Sequence, residues 1–478
     1  MAQASADHGK LTVVEKIGYG LGDTASNIVF QVVINFMVIF YTDVYGLPAA
    51  TVGTLMLAVR VFDAFTDPLM GGMADRTKTR WGRYRPYLIY TSIPYGILAV
   101  FAFTTPDLAE NSKVVYAYVT YALLMTAYTA VNIPYSALGG VITGDSTERA
   151  SVQSYRFAMA MVGGALVTSA TLPLVSALGG EDVQRGYQLA MAVLATLAVA
   201  CFIGCFFLTR ERITPPPQEK STNIMGDLWA VMCNKQWQII GLLAFFLLVL
   251  VAMRGAGAPF YMKYFFGRED LTSQFMTLGM IGSVVGALST NFLTKLYCKV
   301  SIMNWALIGM IVFHALLFFV PNTQIELAFV FFILANMSQM VVVPLMFSMV
   351  PDTVDYGRLS SSRNVMAMSY SAHLLLIKMG LAIGGALVGW LLSYYNYEAN
   401  AEQQSAQALF GIQLIFALSS VVCSILCLVA MRFYKLTNAK MVEIHAELSD
   451  MEAEQESESN SRLNLSKTAV SESTERTA

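Results

Sequence analysis

Charge is what this chain has least of. Only 13% of its 478 residues are Asp, Glu, Lys or Arg, against 56% hydrophobic residues and a mean hydropathy of +0.55. Soluble chains carry about a quarter charged residues, so an ordinary water-soluble enzyme is excluded. Cysteine is scarce as well: six residues, at 201, 205, 233, 298, 423 and 427, lie mostly inside apolar runs without CxxC spacing. They read as buried thiols and not as a disulfide or metal framework. The four histidines, His8, His314, His373 and His445, are scattered, and no Ser/His/Asp or metal-ligand spacing accompanies them. Neither catalysis nor a resident cofactor is expected. A net charge of −2 offers no footprint for nucleic acid. The opening MAQASADHGK lacks the apolar core of a cleavable leader, which leaves insertion to later segments.

What is present is a succession of long apolar stretches, at 17–42, 48–74, 86–104, 114–139, 152–178, 188–209, 237–264, 271–294, 302–320, 327–350, 364–394 and 408–433. About 20 residues cross a bilayer as a helix, so the expectation is an all-α polytopic membrane protein with twelve transmembrane helices. Near the middle, TRERITPPPQEKSTN places three consecutive prolines between two stretches and continues neither helix. The predicted organisation is an N-terminal segment 1–16, a six-helix bundle 17–209, a central loop 210–236, a second bundle 237–433 and a tail 434–478. Two halves of six helices suggest an internally duplicated transporter, with its site between the halves near the midplane. A polytopic protein that merely has an even helix number is the alternative. The tail holds nine acidic and five basic residues and reads as disordered and solvated.

Basic residues are retained on the cytoplasmic side. One set of loops carries fourteen, from Arg76 and Lys78 through Arg149 and Arg212 to Arg363, and the opposite set only Lys113, Arg185, Lys263 and Arg268. Both termini and the proline loop are therefore expected inside.

A charge at the bilayer centre costs at least ~2.5 kcal/mol, so each one needs a partner or a task. The second stretch reads LAVRVFDAFTDPLMGG, with Arg60, Asp63 and Asp67 at spacings of three and four on one helical face. Two carboxylates one turn apart in low dielectric need a shared proton or a metal ion such as Na⁺, which is what a cation-coupling site requires. Thr66 lies in the same turn. A structural Arg60–Asp63 pair is the competing reading. The fourth stretch, MTAYTAVNIPYSALGG, repeats Tyr128, Asn132 and Ser136 at four-residue intervals beside Thr129; such a stripe faces a cavity or a neighbouring helix. Asp23 and Asn27 share a face of the first helix. Basic residues at membrane depth are Arg156, Arg254 and Lys378, with His373 five residues before the lysine. Snorkelling accounts for Arg156 at a helix end; Lys378, deep in an apolar run, calls for an acid such as Asp63 or Asp67, or an anionic substrate.

The loop GGMADRTKTRWGRYRP resembles the signature of the major facilitator superfamily. More narrowly, EKIGYGLGD with FYTDVYGLP, then RVFDAFTDPLMG, RWGRYRPY, YTAVNIPYSALGGVIT, ERASVQSYRF and PDTVDYG resemble the glycoside-pentoside-hexuronide:cation symporters of the melibiose-permease kind, up to about residue 435. The resemblance implies two six-helix bundles with alternating access, in the bacterial inner membrane, moving a sugar with Na⁺, H⁺ or Li⁺. Its cation site falls on Asp63 and Asp67, also the metal ligands if the ion is Na⁺, with Thr66 and Thr129 beside them. Its sugar-contacting positions fall on Asn27, Tyr128, Asn132, Ser136, Arg156 and His373, and its basic link between the halves on Lys378; Arg60, on the face of the two carboxylates, is expected as a second coupling residue.

Melibiose carriers have Asn where Thr66 stands, which leaves Na⁺ and H⁺ both open. They have aspartates where Asn27 and Asn132 stand and a tryptophan in place of Ser136, so galactoside specificity is not expected. With fewer acids and Arg156, Arg254 and Lys378 remaining, a uronide is one reading, since guanidinium binds carboxylate bidentately; a neutral glycoside such as a xyloside is the other. A monomer is expected. The rival functions are a non-sugar or lysolipid carrier on the same fold, and a transport-inactive sensor signalling through the tail.

Overall fold

The computed structural model describes residues 11–143, 146–212, 224–361, 366–444 and 446–451. The three-proline segment and the tail beyond 451 lie outside them. The N-terminal half contains α1 (Val13–Ile39), α2 (Ala49–Arg76), α3 (Arg85–Tyr90), α4 (Ser92–Ala102), α5 (Glu110–Val141), α6 (Ser146–Gly179) and α7 (Val183–Leu208). After α8 (Ile224–Cys233) come α9 (Lys235–Phe260), α10 (Thr272–Leu296), α11 (Lys299–Phe319), α12 (Ile325–Ser361), α13 (Met366–Tyr394), α14 (Ala406–Gln413) and α15 (Ser419–Met431). Single π-helical turns, Phe40–Val44 and Tyr261–Phe265, extend α1 and α9, and a third, Leu414–Leu418, joins α14 to α15.

Among the described residues, ten helices are long and apolar enough to cross a membrane. The other two expected spans have local reasons for falling short. Arg60, Asp63, Asp67, Asp75 and Arg76 lower the hydropathy of α2. The α3–α4 segment breaks at Thr91, three residues before Pro94, whose missing N–H cannot bond the preceding turn. Elsewhere the helices overrun their apolar stretches by a few residues: α1 begins at Val13, capped reciprocally by Thr12 and Glu15.

One correction concerns the tail. Residues 438–444 and 446–451, expected to be disordered, are helical, and Met441, Ile444 and Leu448 are buried. Their spacing of three and four makes an apolar stripe that average composition conceals. The segment is tied down where the Lys435 amide donates to Gln236 Oε1 at 2.8 Å.

The two ends of the molecule differ. At the end carrying the central linker, Glu211 accepts the backbone N–H groups of Arg83, Tyr84 and Arg85 at 2.8, 2.7 and 2.9 Å, clamping the RWGRYRP loop onto the end of α7. Gly82, at φ +108°, makes this possible: a Cβ there would lie 2.5 Å from the Glu211 carboxylate. Gly82→Ala is expected to cost about 2 kcal/mol or more, from the disfavoured φ and the weakened charge-assisted bonds. A melting temperature of the purified carrier within one degree of wild type would contradict this.

At the opposite end the halves are latched together. Asp43, in the π turn after α1, receives Lys263 Nζ at 2.9 Å, Tyr397 OH at 2.5 Å and Tyr264 OH, and Asn400 Nδ2 donates to its backbone carbonyl at 2.5 Å. Beneath the latch α2 crosses α13 in backbone contact: a Cβ on Gly389 would sit 2.4 Å from the Ala49 carbonyl. Thr277 Oγ1 donates to Thr168 Oγ1 at 3.4 Å where α10 meets α6. Between these contacts lies a cavity of about 30 Å³, lined by Val33, Met56, Arg60 and Ala256 among others, room for a water or two.

Candidate functional site

At the level of Arg60 and below it, α2 presents its charged face to α5 and α13. Lys378 reaches from α13 to form an ion pair with Asp67, joining the two halves in mid-span. Thr129 Oγ1 on α5 donates to Asp67 Oδ1 at 2.9 Å. One turn earlier, Asp63 Oδ2 lies 3.6 Å from Arg60 Nη1, while Asp63 Oδ1 is buried with no partner. A buried carboxylate oxygen left unmatched is costly, which marks it as a place for a ligand or a proton. Thr66 does not aim at either carboxylate: its hydroxyl donates to the Asp63 backbone carbonyl at 3.2 Å, a habit of threonine inside helices.

A second cluster is built from α1, α5 and α6. Asp23 faces Arg156 with Nε to Oδ2 and Nη2 to Oδ1 both at 3.3 Å, and the guanidinium lies over the Tyr135 ring. Asn27 donates to the Asp23 carbonyl at 2.9 Å. Asn132 donates to Tyr128 OH at 2.9 Å and accepts from Ser26 at 3.3 Å. Further along the stripe on α5, Ser136 is exposed and a Cβ on Gly140 would meet nothing, so the stripe runs into open space toward the linker end.

Phe30 joins the two clusters. Arg60 sits 5.3 Å above its ring, and the ring stacks on Tyr128 at 5.4 Å between centroids. Sequence spacing gave no sign of this residue, because an isolated phenylalanine in an apolar helix looks like any core side chain.

Two predicted sugar-site residues lie elsewhere. Arg254, 7% exposed, packs over Phe332 and donates to His314 Nε2 at 3.4 Å. His314 Nδ1 stands 2.8 Å from the Met310 carbonyl and so carries the ring proton. The guanidinium is thus directed into the C-terminal half between α11 and α12, away from the α1–α5–α6 cluster, because its neighbour Gly255 holds the face toward α1. His373 is fully buried against Phe347, and neither ring nitrogen has a partner.

Two helical bundles that share a mid-span lattice of paired charges, closed against each other at one end, define a secondary transporter of the two-bundle kind. A family model described as MFS/sugar transport protein matches residues 18–438, and the chain belongs to that family. It is 40% identical over 440 residues to the inner membrane symporter YicJ of Escherichia coli (strain K12), covering 92% of this chain and 95% of the relative. The isoprimeverose transporter of Lactiplantibacillus pentosus is 32% identical, with 88% of each chain covered, and the glucuronide carrier protein homolog of Escherichia coli (strain K12) 31% identical, with 91% and 95% covered. The nucleoside transporter NupG has the same fold, with a TM-score of 0.63 at 15% identity over 88% of this chain and 100% of that one.

Proposed function

We propose that this protein is an inner-membrane symporter that couples a cation, Na⁺ or H⁺, to sugar uptake by alternating access, without chemical change to the sugar. The observation that carries the reading is the Lys378–Asp67 pair beside the orphaned Asp63 oxygen. A lysine resting on one carboxylate of a dyad is a tethered cation: an incoming ion or proton must displace it. The positive-inside asymmetry of the loops supports a cytoplasmic linker end, so the described state is sealed toward the outside by the Asp43 latch. The polar stripe Asn27, Tyr128 and Asn132, hydrogen-bonded and set beside aromatic rings, suits sugar hydroxyls better than a lipid chain.

In this mechanism, cation binding at Asp63 and Asp67 redistributes Arg60 and Lys378. Arg60 rests on Phe30 and Phe30 on Tyr128, a contiguous contact from cation to sugar. Sugar and cation then tighten one another by the same factor. The test is proteoliposome uptake: a saturable glycoside should drive influx of Na⁺ or H⁺, measured with an ion-selective dye. Sugar entry with no accompanying ion under any gradient would rule out symport.

A further inference from the structure

We infer that the site takes neutral sugars and rejects carboxylated ones, with Asp23 as the residue that sets the choice. This rests on the sugar-symport reading above. A carboxylate brought to mid-span must find a free cation, because an ionised group there without a partner is strongly disfavoured. Among the described side chains at that depth, the cations are matched before the coupling ion arrives: Arg60 by Asp63, Arg156 by Asp23 and Lys378 by Asp67. Of these only Arg156 belongs to the α1–α5–α6 cluster, and the coupling ion does not touch its pairing with Asp23. Arg254 has no carboxylate but is turned into the C-terminal bundle against His314 and Phe332.

Arg156 is the cation among the sugar-facing residues; its Nη2 donates to Asp23 at 3.3 Å, and its buried Nε lies 3.3 Å from the same carboxylate without a hydrogen bond of its own. A sugar carboxylate approaching the remaining edge meets a guanidinium whose charge is already balanced, with a second carboxylate close behind it. Repulsion between like charges makes this a rejecting element as well as a charge-balanced one. A hydroxyl meets no such obstacle. Nη1, whose described contact is a long 3.5 Å to Gln153, is left to donate, and Asn27, Asn132 and Tyr128 supply donors and acceptors without net charge. The asparagines at 27 and 132 keep this surface neutral, so Asp23 alone decides whether Arg156 presents a bare charge.

The experiment uses the full-length carrier in proteoliposomes with matched p-nitrophenyl β-xyloside, β-glucoside and β-glucuronide, the last two differing at carbon six only. At least one neutral glycoside should drive ion influx, and the glucuronide at least tenfold more slowly. Asp23→Asn should raise the glucuronide-to-neutral rate ratio at least tenfold, and Asp23→Asn with Arg156→Gln should return it to the wild-type value. Wild type carrying the glucuronide as fast as the best neutral sugar overturns the inference and leaves symport standing. No influx with any of the three overturns both. An Asp23→Asn carrier that melts like wild type yet keeps the wild-type ratio overturns the assignment to Asp23; if that variant does not fold, the wild-type ratio decides.

Discussion

Asparagine in place of Asp67 is expected to reduce sugar accumulation from roughly 40-fold to unity while leaving sugar-for-sugar exchange intact. One elementary charge moving through 100 mV supplies about 2.3 kcal/mol, and each 1.4 kcal/mol is a factor of ten, which sets that ceiling. Asparagine fills the same volume and still accepts from Thr129, but it neither takes up a proton nor offers a full charge to Na⁺. It also deprives Lys378 of its carboxylate, leaving an ammonium group in the span without its counter-charge. The companion Asp67→Asn with Lys378→Gln separates the two effects: it should fold, bind sugar with no dependence on the coupling ion, and equilibrate sugar without accumulating it. Full accumulation by either variant, measured with radiolabelled sugar under an imposed gradient, would contradict the assignment of the dyad.

The second large effect is expected at the latch. Asp43→Asn removes the charge that gathers Lys263, Tyr264 and Tyr397, and charged hydrogen bonds contribute about 1.5–3 kcal/mol each. Loss of even one shifts the balance between the two access states roughly tenfold or more, toward the state open at the Asp43 end. The measurement is outside labelling by a membrane-impermeant maleimide of a cysteine at position 256, where Ala256 lines the cavity beneath the latch. The rate in the Ala256→Cys background should rise at least tenfold on adding Asp43→Asn. An unchanged rate would show that the glycine-lined crossing of α2 and α13 holds the end shut by itself.

How much of this was legible beforehand follows from sequence distance. Arg60, Asp63 and Asp67 declare one face because helical spacing is local, and for the same reason ten of the twelve apolar stretches correspond, among the described residues, to helices long and apolar enough to cross a membrane. The Lys378–Asp67 pair follows because a lysine deep in an apolar run demands an acid and few were on offer. Asp23 and Arg156 stand 133 positions apart, and Asp43 and Lys263 stand 220 apart; no periodicity reports such meetings. FYTDVYGLP was visible as a family motif, yet the role of its aspartate depends on Tyr397 and Asn400, contributed by a loop in the other half. Arg254 misled for a related reason. A wheel shows which residues share a face, but which neighbour that face meets depends on packing, and here the neighbour is His314.

The matching of Arg60, Arg156, Lys263 and Lys378 with carboxylates also governs how the protein responds to an electric field. The Arg60–Asp63 and Arg156–Asp23 couples lie within one half and travel as dipoles of zero net charge when the bundles rock. The Lys263–Asp43 and Lys378–Asp67 couples part between the halves but still sum to no net charge, and Arg254 moves only as far as its own bundle carries it. The unloaded carrier therefore displaces little charge across the membrane during its return, and voltage acts almost entirely on the ion that rides with the sugar. A cell that hyperpolarises its membrane strengthens the inward pull on loaded carriers without slowing the empty ones on their way back.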